Sequence, residues 1–372
     1  MRAMGFTIGL VILLCAGGTV WADVFHMGPG LTSLETVRVG NIGNTGELSG
    51  AGAGGHGPDR ICGAVAYTYK VGKYEVTAGQ YTQFLNAVAA TDTYGLYNTK
   101  MADPLSGTTL GCNIQRSESS GSYTYSVDGN WANRPVGWVS WGDAARFANW
   151  LTKGQPTGVQ GLSTTEDGSY YLNGATTNEA LNAVTRKTPE QGGRYYIPTE
   201  DEWYKAAYYD PNKPGGAGYW NYPTGSDSTP SNDLVNPDGG NNANFWQSGY
   251  TIGSPYYRTE VGEFENSESP YGTFDQGGNV SEWNETFLSG SNRVVRGGAF
   301  SGSGGSLDYY LLASSRFDYG NTTSTFETAS LGFRIAEVPE PATLSLLALG
   351  ALGVIRRRGK RATLVERQRS EV

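Results

Sequence analysis

Residues 277–335 carry four landmarks in order: Gly277-Gly-Asn-Val-Ser-Glu-Trp283, Arg293-Val-Val-Arg-Gly-Gly-Ala-Phe300, Ser314-Ser-Arg-Phe317 and Leu331-Gly-Phe-Arg-Ile335. No cysteine occurs among them, or anywhere after Cys112. The whole chain of 372 residues holds 54 Gly and 16 Pro, far more turn-formers than an average domain, while 12% aromatic residues argue against disorder. The 24 Tyr and 9 Trp then supply the buried area that long helices and sheets would otherwise provide. A compact, loop-heavy domain of low regular secondary structure is expected.

Upstream, three helices announce themselves by capping signals that follow short apolar runs. Thr77-Ala-Gly-Gln80 opens a helix with Tyr81, Phe84, Leu85 and Val88 at helical spacing. Ser140 opens a second, whose Ala144, Phe147, Ala148 and Leu151 share a face. Thr199-Glu-Asp-Glu202 opens a third, with Trp203, Ala206 and Ala207 on its inner face. Core packing accounts for these aromatics, and capping and the helix dipole account for Glu200, Asp201 and Glu202.

Gly72-Lys-Tyr-Glu-Val-Thr77, Arg134-Pro-Val-Gly-Trp-Val-Ser-Trp141 and Ile197-Pro-Thr-Glu-Asp-Glu-Trp203 precede GGNVSEW, RVVRGGAF and LGFRI. Six blocks in this order resemble the formylglycine-generating enzyme (sulfatase-modifying factor) family over residues 65–337. The resemblance implies a single α+β domain of the C-type-lectin-like kind, low in regular secondary structure, with short strands and about three helices. It also implies chemistry: members oxidise a substrate cysteine with a copper ion held by two thiolates. Here the positions of those cysteines fall on Asp308 and Ala313, neither of them the soft sulfur ligand that copper(I) selects.

The same resemblance implies calcium at Asp275, Gly278, Val280 and Glu282, whose mixed carboxylate and backbone oxygen suits a hard cation. A second calcium site matches at Asn244 and Phe245 but has Gly253 or Ser254 where an aspartate should stand. Calcium is therefore expected and copper is not. Trp283, Tyr309, Tyr310 and Arg316 fall where the oxidase holds its peptide, and aromatic faces beside Arg suit a peptide or glycan.

Both ends read as addresses. Residues 1–22 have the basic, apolar and small-residue order of a secretory signal. Val338-Pro-Glu-Pro341, an apolar run from Ala342 to Ile355 and a basic cluster through Arg361 resemble the PEP-CTERM sorting signal, leaving residues 362–372 as a cytoplasmic tail. That implies exosortase-type sorting after transient anchoring in the inner membrane, and a final place at the cell surface or in an extracellular matrix. Without both ends, the body keeps 19 basic and 33 acidic groups, a net charge near −14. Such a surface repels nucleic acid.

Cys62 and Cys112, with 49 residues between them, are in an oxidising compartment most simply a disulfide, worth roughly 2–4 kcal/mol in the loop-entropy account. A copper dithiolate at the same pair is the sharper alternative. The two histidines, His26 and His56, precede the expected fold, so a histidine-based triad has no candidate in the body. Nor is there a histidine cluster of the kind that iron-dependent sulfoxide synthases require. Residues 23–64 are Gly-rich and read either as an extra edge strand and loop or as a linker. The sequence therefore points to an exported, non-catalytic binding or matrix module, with an active copper oxidase as the alternative.

Overall fold

The computed structural model describes residues 34–105, 109–302, 307–316 and 321–338. The secretory signal, the segment after Val338 and the cytoplasmic tail lie outside them. Strands β1 (Thr36–Val39), β4 (Tyr69–Gly72), β13 (Ala336–Glu337) and β7 (Tyr195–Tyr196) form an antiparallel sheet in the order β1-β4-β13-β7. The last described strand therefore sits inside the main sheet. Its Glu337 is fixed by ion pairs to Lys70 at 2.8 Å and Arg194 at 2.9 Å.

Helices α1 (Ala78–Val88), α3 (Trp141–Thr152) and α5 (Glu200–Tyr208) are those the capping signals predict. Thr77, Ser140 and Thr199 each accept from the third backbone N–H of their helix, and Gln80, Asp143 and Glu202 return the bond. The described residues add two single-turn helices, α2 (Gly129–Ala132) and α4 (Asn178–Asn182). Two features keep α1 and α3 together: Phe84 and Phe147 meet edge-to-face at 5.3 Å, and Phe147 meets Phe333 of the LGFRI landmark at the same distance. Each such ring, fully buried, contributes about 1.5–3 kcal/mol. Helix α5 differs from its expected one-sided face: Glu200, Glu202, Tyr204, Lys205 and Tyr208 are buried as well.

The second sheet places the landmarks. Strand β10 (Ser281–Ser289) runs between β11 (Asn292–Arg296), antiparallel, and β12 (Leu331–Gly332), parallel, with Glu282 opposite both Arg296 and Gly332. Three ribbons complete the set: β2 (Glu47–Ser49) with β3 (Arg60–Cys62), β5 (Ile114–Ser117) with β6 (Thr124–Val127), and β8 (Tyr209–Asp210) with β9 (Gly218–Tyr219).

From Leu34 onward the Gly-rich N-terminal stretch is an edge strand, a two-stranded ribbon and loop rather than a linker. Gly57, at φ 80°, lies so close to the Arg316 carbonyl that a Cβ would sit 1.8 Å from its oxygen. His56, expected ahead of the fold, is part of it: exposed, with its ring centroid 5.0 Å from that of Tyr309. Among the described residues no helix is long and apolar enough to cross a membrane.

Candidate functional site

The parallel pairing of β10 with β12 brings Arg334 back onto Glu282, and the two make a buried bidentate pair with both contacts at 2.6 Å. Trp203 Nε1 donates to the same carboxylate at 2.7 Å, while Arg334 also donates to the carbonyls of Gly72 and Phe274. Asp275, at φ 60°, turns one oxygen to the Gly262 amide at 2.6 Å. Burial pushes its carboxyl up to about 6, against that hydrogen bond and the nearby Arg334. Glu75 accepts from the Val280 amide and from Asn279, and burial beside Asp275 and Glu282 raises it well above the carboxylate range.

This arrangement does not fit a calcium ion on Asp275, Gly278, Val280 and Glu282. Both oxygens of Glu282 face a guanidinium, so the position a divalent cation needs already has a cation beside it. At Asn244 the amide donates to the Tyr257 carbonyl and to Asn279, each at 3.1 Å, and its Oδ1 is buried without a partner. The Phe245 carbonyl accepts from Asn232. Tyr257 and Thr259, not Gly253 or Ser254, lie beside Asn244, and none of the groups bonded to it is a carboxylate. Among the described residues no group of three or more His, Cys, Asp or Glu is placed to hold a metal.

A second buried centre joins β3, α5, β11 and the segment 313–316. Glu200 accepts from Arg296 at 2.7 and 2.9 Å and from Arg316 at 2.8 and 2.9 Å, and Arg60 approaches at 3.4 Å. Burial alone would raise Glu200, but Arg296 and Arg316 outweigh it and hold the carboxyl at about 2. Arg296 also reaches the carbonyls of Ala313 and Ser315. Cys62 packs in the same cluster as Ala313 and Trp203, its sulfur 3.4 Å from Arg60 and 3.6 Å from Arg296. Burial nonetheless pushes the thiol up, against the pull of Arg296.

These contacts correct three expectations. Cys62 and Cys112 are free and lie in different clusters: Cys62 ends β3 over Trp203, whereas Cys112 sits in the main core against the Gly137 carbonyl at 3.8 Å. A bridge needs the two backbones within about 7 Å of each other. Trp283 is a core residue, fully buried, with its Nε1 on the Val139 carbonyl at 3.0 Å. Arg316 is buried, and its guanidinium is consumed by Glu200 rather than presented to a ligand. Tyr309 and Tyr310 do come together, at 4.2 Å, but with His56. Asp308 opens the short turn that carries these tyrosines, while Ala313 is buried in the Cys62 cluster. The thiol beside Ala313 was invisible in the sequence because 251 residues separate the two; the Arg-Ile-Cys run of β3 carried no motif.

A short-stranded α+β domain built around a buried Glu–Arg pair defines the class. Residues 61–338 match the Sulfatase-modifying factor enzyme 1-like domain, and the chain belongs to that family. Residues 337–361 match the PEP-CTERM protein-sorting motif, which marks the chain for export and membrane-associated sorting by exosortase-type machinery. Among solved structures, a variable protein 1 of Treponema denticola is 19% identical, with 83% of this chain and 96% of that one covered and a TM-score of 0.48. PvdO from Pseudomonas aeruginosa is 17% identical, covering 82% and 94%, with a TM-score of 0.45. CarF is 21% identical, covering 82% and 98%, with a TM-score of 0.40. No curated protein matches.

Proposed function

We propose that the chain is an exported, non-catalytic binding module, sorted through its C-terminal signal to the cell surface or extracellular matrix, where it recognises a peptide or glycan. The observation that supports this reading is the environment of Ala313. Where the oxidase chemistry calls for paired thiolates, one thiol, Cys62, lies among Arg60, Arg296, Glu200 and Ser49, and among the described residues no second cysteine shares its cluster. The alternative, copper-dependent oxidation of a sulfatase cysteine, has that same lone thiol in its favour.

One experiment separates them. The full chain, purified in mild detergent, is incubated with a sulfatase-motif peptide, copper and oxygen, and the peptide is weighed by mass spectrometry. The binding module leaves the cysteine unchanged. Aldehyde that disappears in Cys62→Ser would overturn the reading in favour of the oxidase.

A further inference from the structure

We propose that the surface formed by Trp246, Tyr250 and Tyr257 is a platform for a neutral oligosaccharide; this rests on the binding role proposed above and gives that role a site. No charged residue occurs from Gly239 to Tyr257, in a body whose net charge is otherwise strongly negative. The stretch instead alternates aromatic rings with Asn, Gln, Ser, Thr and Gly.

The rings are ordered rather than merely exposed. Trp246 and Tyr250 meet edge-to-face at 4.7 Å, Tyr250 and Tyr257 at 4.8 Å, and Tyr257 leans on the buried Phe300 at 6.3 Å. A ladder of rings thus runs from the core outward to Tyr250, which is 39% exposed. Tyr257 holds a left-handed φ of 58°, a backbone state that an aromatic residue adopts only under steric strain and that structures retain where a side chain must be aimed. Its amide donates to the Gly253 carbonyl at 3.2 Å and its carbonyl accepts from Asn244. Below the rings, Asn232 clamps the carbonyls of Phe245 and Gly249 at 3.2 and 3.3 Å. Gln247 and Ser248 stand exposed beside them.

A neutral sugar matches these properties. Its C–H faces are apolar and lie flat on rigid aromatic rings, and its hydroxyls both donate and accept, as the amide of Gln247 and the hydroxyl of Ser248 do. Tyr, Ser, Gly and Asn together give a recognition surface of low ordering cost and adaptable hydrogen bonding. The nearest guanidinium groups are already engaged, Arg134 over the Tyr256 ring and Arg258 on the carbonyls of Leu110, Gly111 and Ala329, so an acidic glycan or a charged peptide would lose hydration here for little return.

The test uses the full chain in mild detergent against immobilised neutral oligosaccharides of the cello, xylo and chito series, with uronate-containing glycans and a peptide library in parallel. The platform predicts binding within the neutral series, weakened at least about tenfold by Tyr250→Ala and kept by Tyr250→Phe, with the melting temperature unchanged in Tyr250→Phe and lowered by no more than a few degrees in Tyr250→Ala, which loses two ring contacts. Absence of neutral binding, equal binding by Tyr250→Ala, or binding confined to uronates or peptides overturns it. Aldehyde formation in the same preparation overturns the non-catalytic role instead, so the two failures are distinguishable.

Discussion

Gly278 shows how tightly one position is specified. It has φ 99°, and a Cβ there would lie 2.4 Å from the Asn244 carbonyl oxygen, a backbone atom that cannot swing away. Gly278→Ala is therefore expected to cost several kcal/mol, of the order seen for strained or overpacked core positions, read as a lowered urea midpoint. Glu200→Gln would strand Arg296 and Arg316 in the interior, and losing one partner of a buried ion pair costs about 3–5 kcal/mol. The same urea titration measures it, and a wild-type midpoint would remove Glu200 from its central place. These roles were only partly legible. The glycine and the glutamate stand out in GGNVSEW, but the partner of Glu282 is 52 residues further on and that of Glu200 is 96 and 116 residues away. A capping signal shows that Glu200 opens a helix; it carries no record of the guanidinium groups that fold onto it.

The three long helices were readable because a cap and a 3.6-residue stripe are both written within a dozen residues. Thr77→Ala removes one such cap and is expected to lower stability by about 1 kcal/mol, with a matching loss of helical circular dichroism only near the transition. Strands of two to four residues leave no comparable period, which is why β1 and the β2–β3 ribbon read equally well as a linker. The cysteines misled for a related reason: spacing and compartment favour a bridge, but β3 points Cys62 toward Trp203 while Cys112 faces Gly137. The denatured protein, purified without reductant, is expected to titrate two free thiols from these positions. A mass two units lower, with no thiol detected, would restore the disulfide.

The whole molecule stores protons on buried carboxyls. Burial pushes Glu285 up to about 7, against the pull of Arg186, and elsewhere raises Asp143 to about 6 and Glu327, which lies near Asp143, to about 8. A carboxyl raised in the folded state holds its proton longer than in the unfolded chain. Its stabilisation is complete below the ordinary carboxylate range and disappears as pH rises through the folded value. Glu200, held low, acts oppositely: its contribution is present above the ordinary range and is lost as pH falls toward 2. The melting temperature should therefore peak near about pH 5 and decline toward pH 8, with Glu327→Gln flattening the upper part of the decline. A flat profile would contradict this assignment.

One buried thiol between Arg60 and Arg296 stands where the family's oxidases hold copper on a thiolate pair. Competition for copper(I) between the reduced full chain and a chelator tests that most directly. The predicted result is that no copper stays with the protein and Cys62→Ser changes nothing; one copper(I) retained per chain and lost in Cys62→Ser would contradict it.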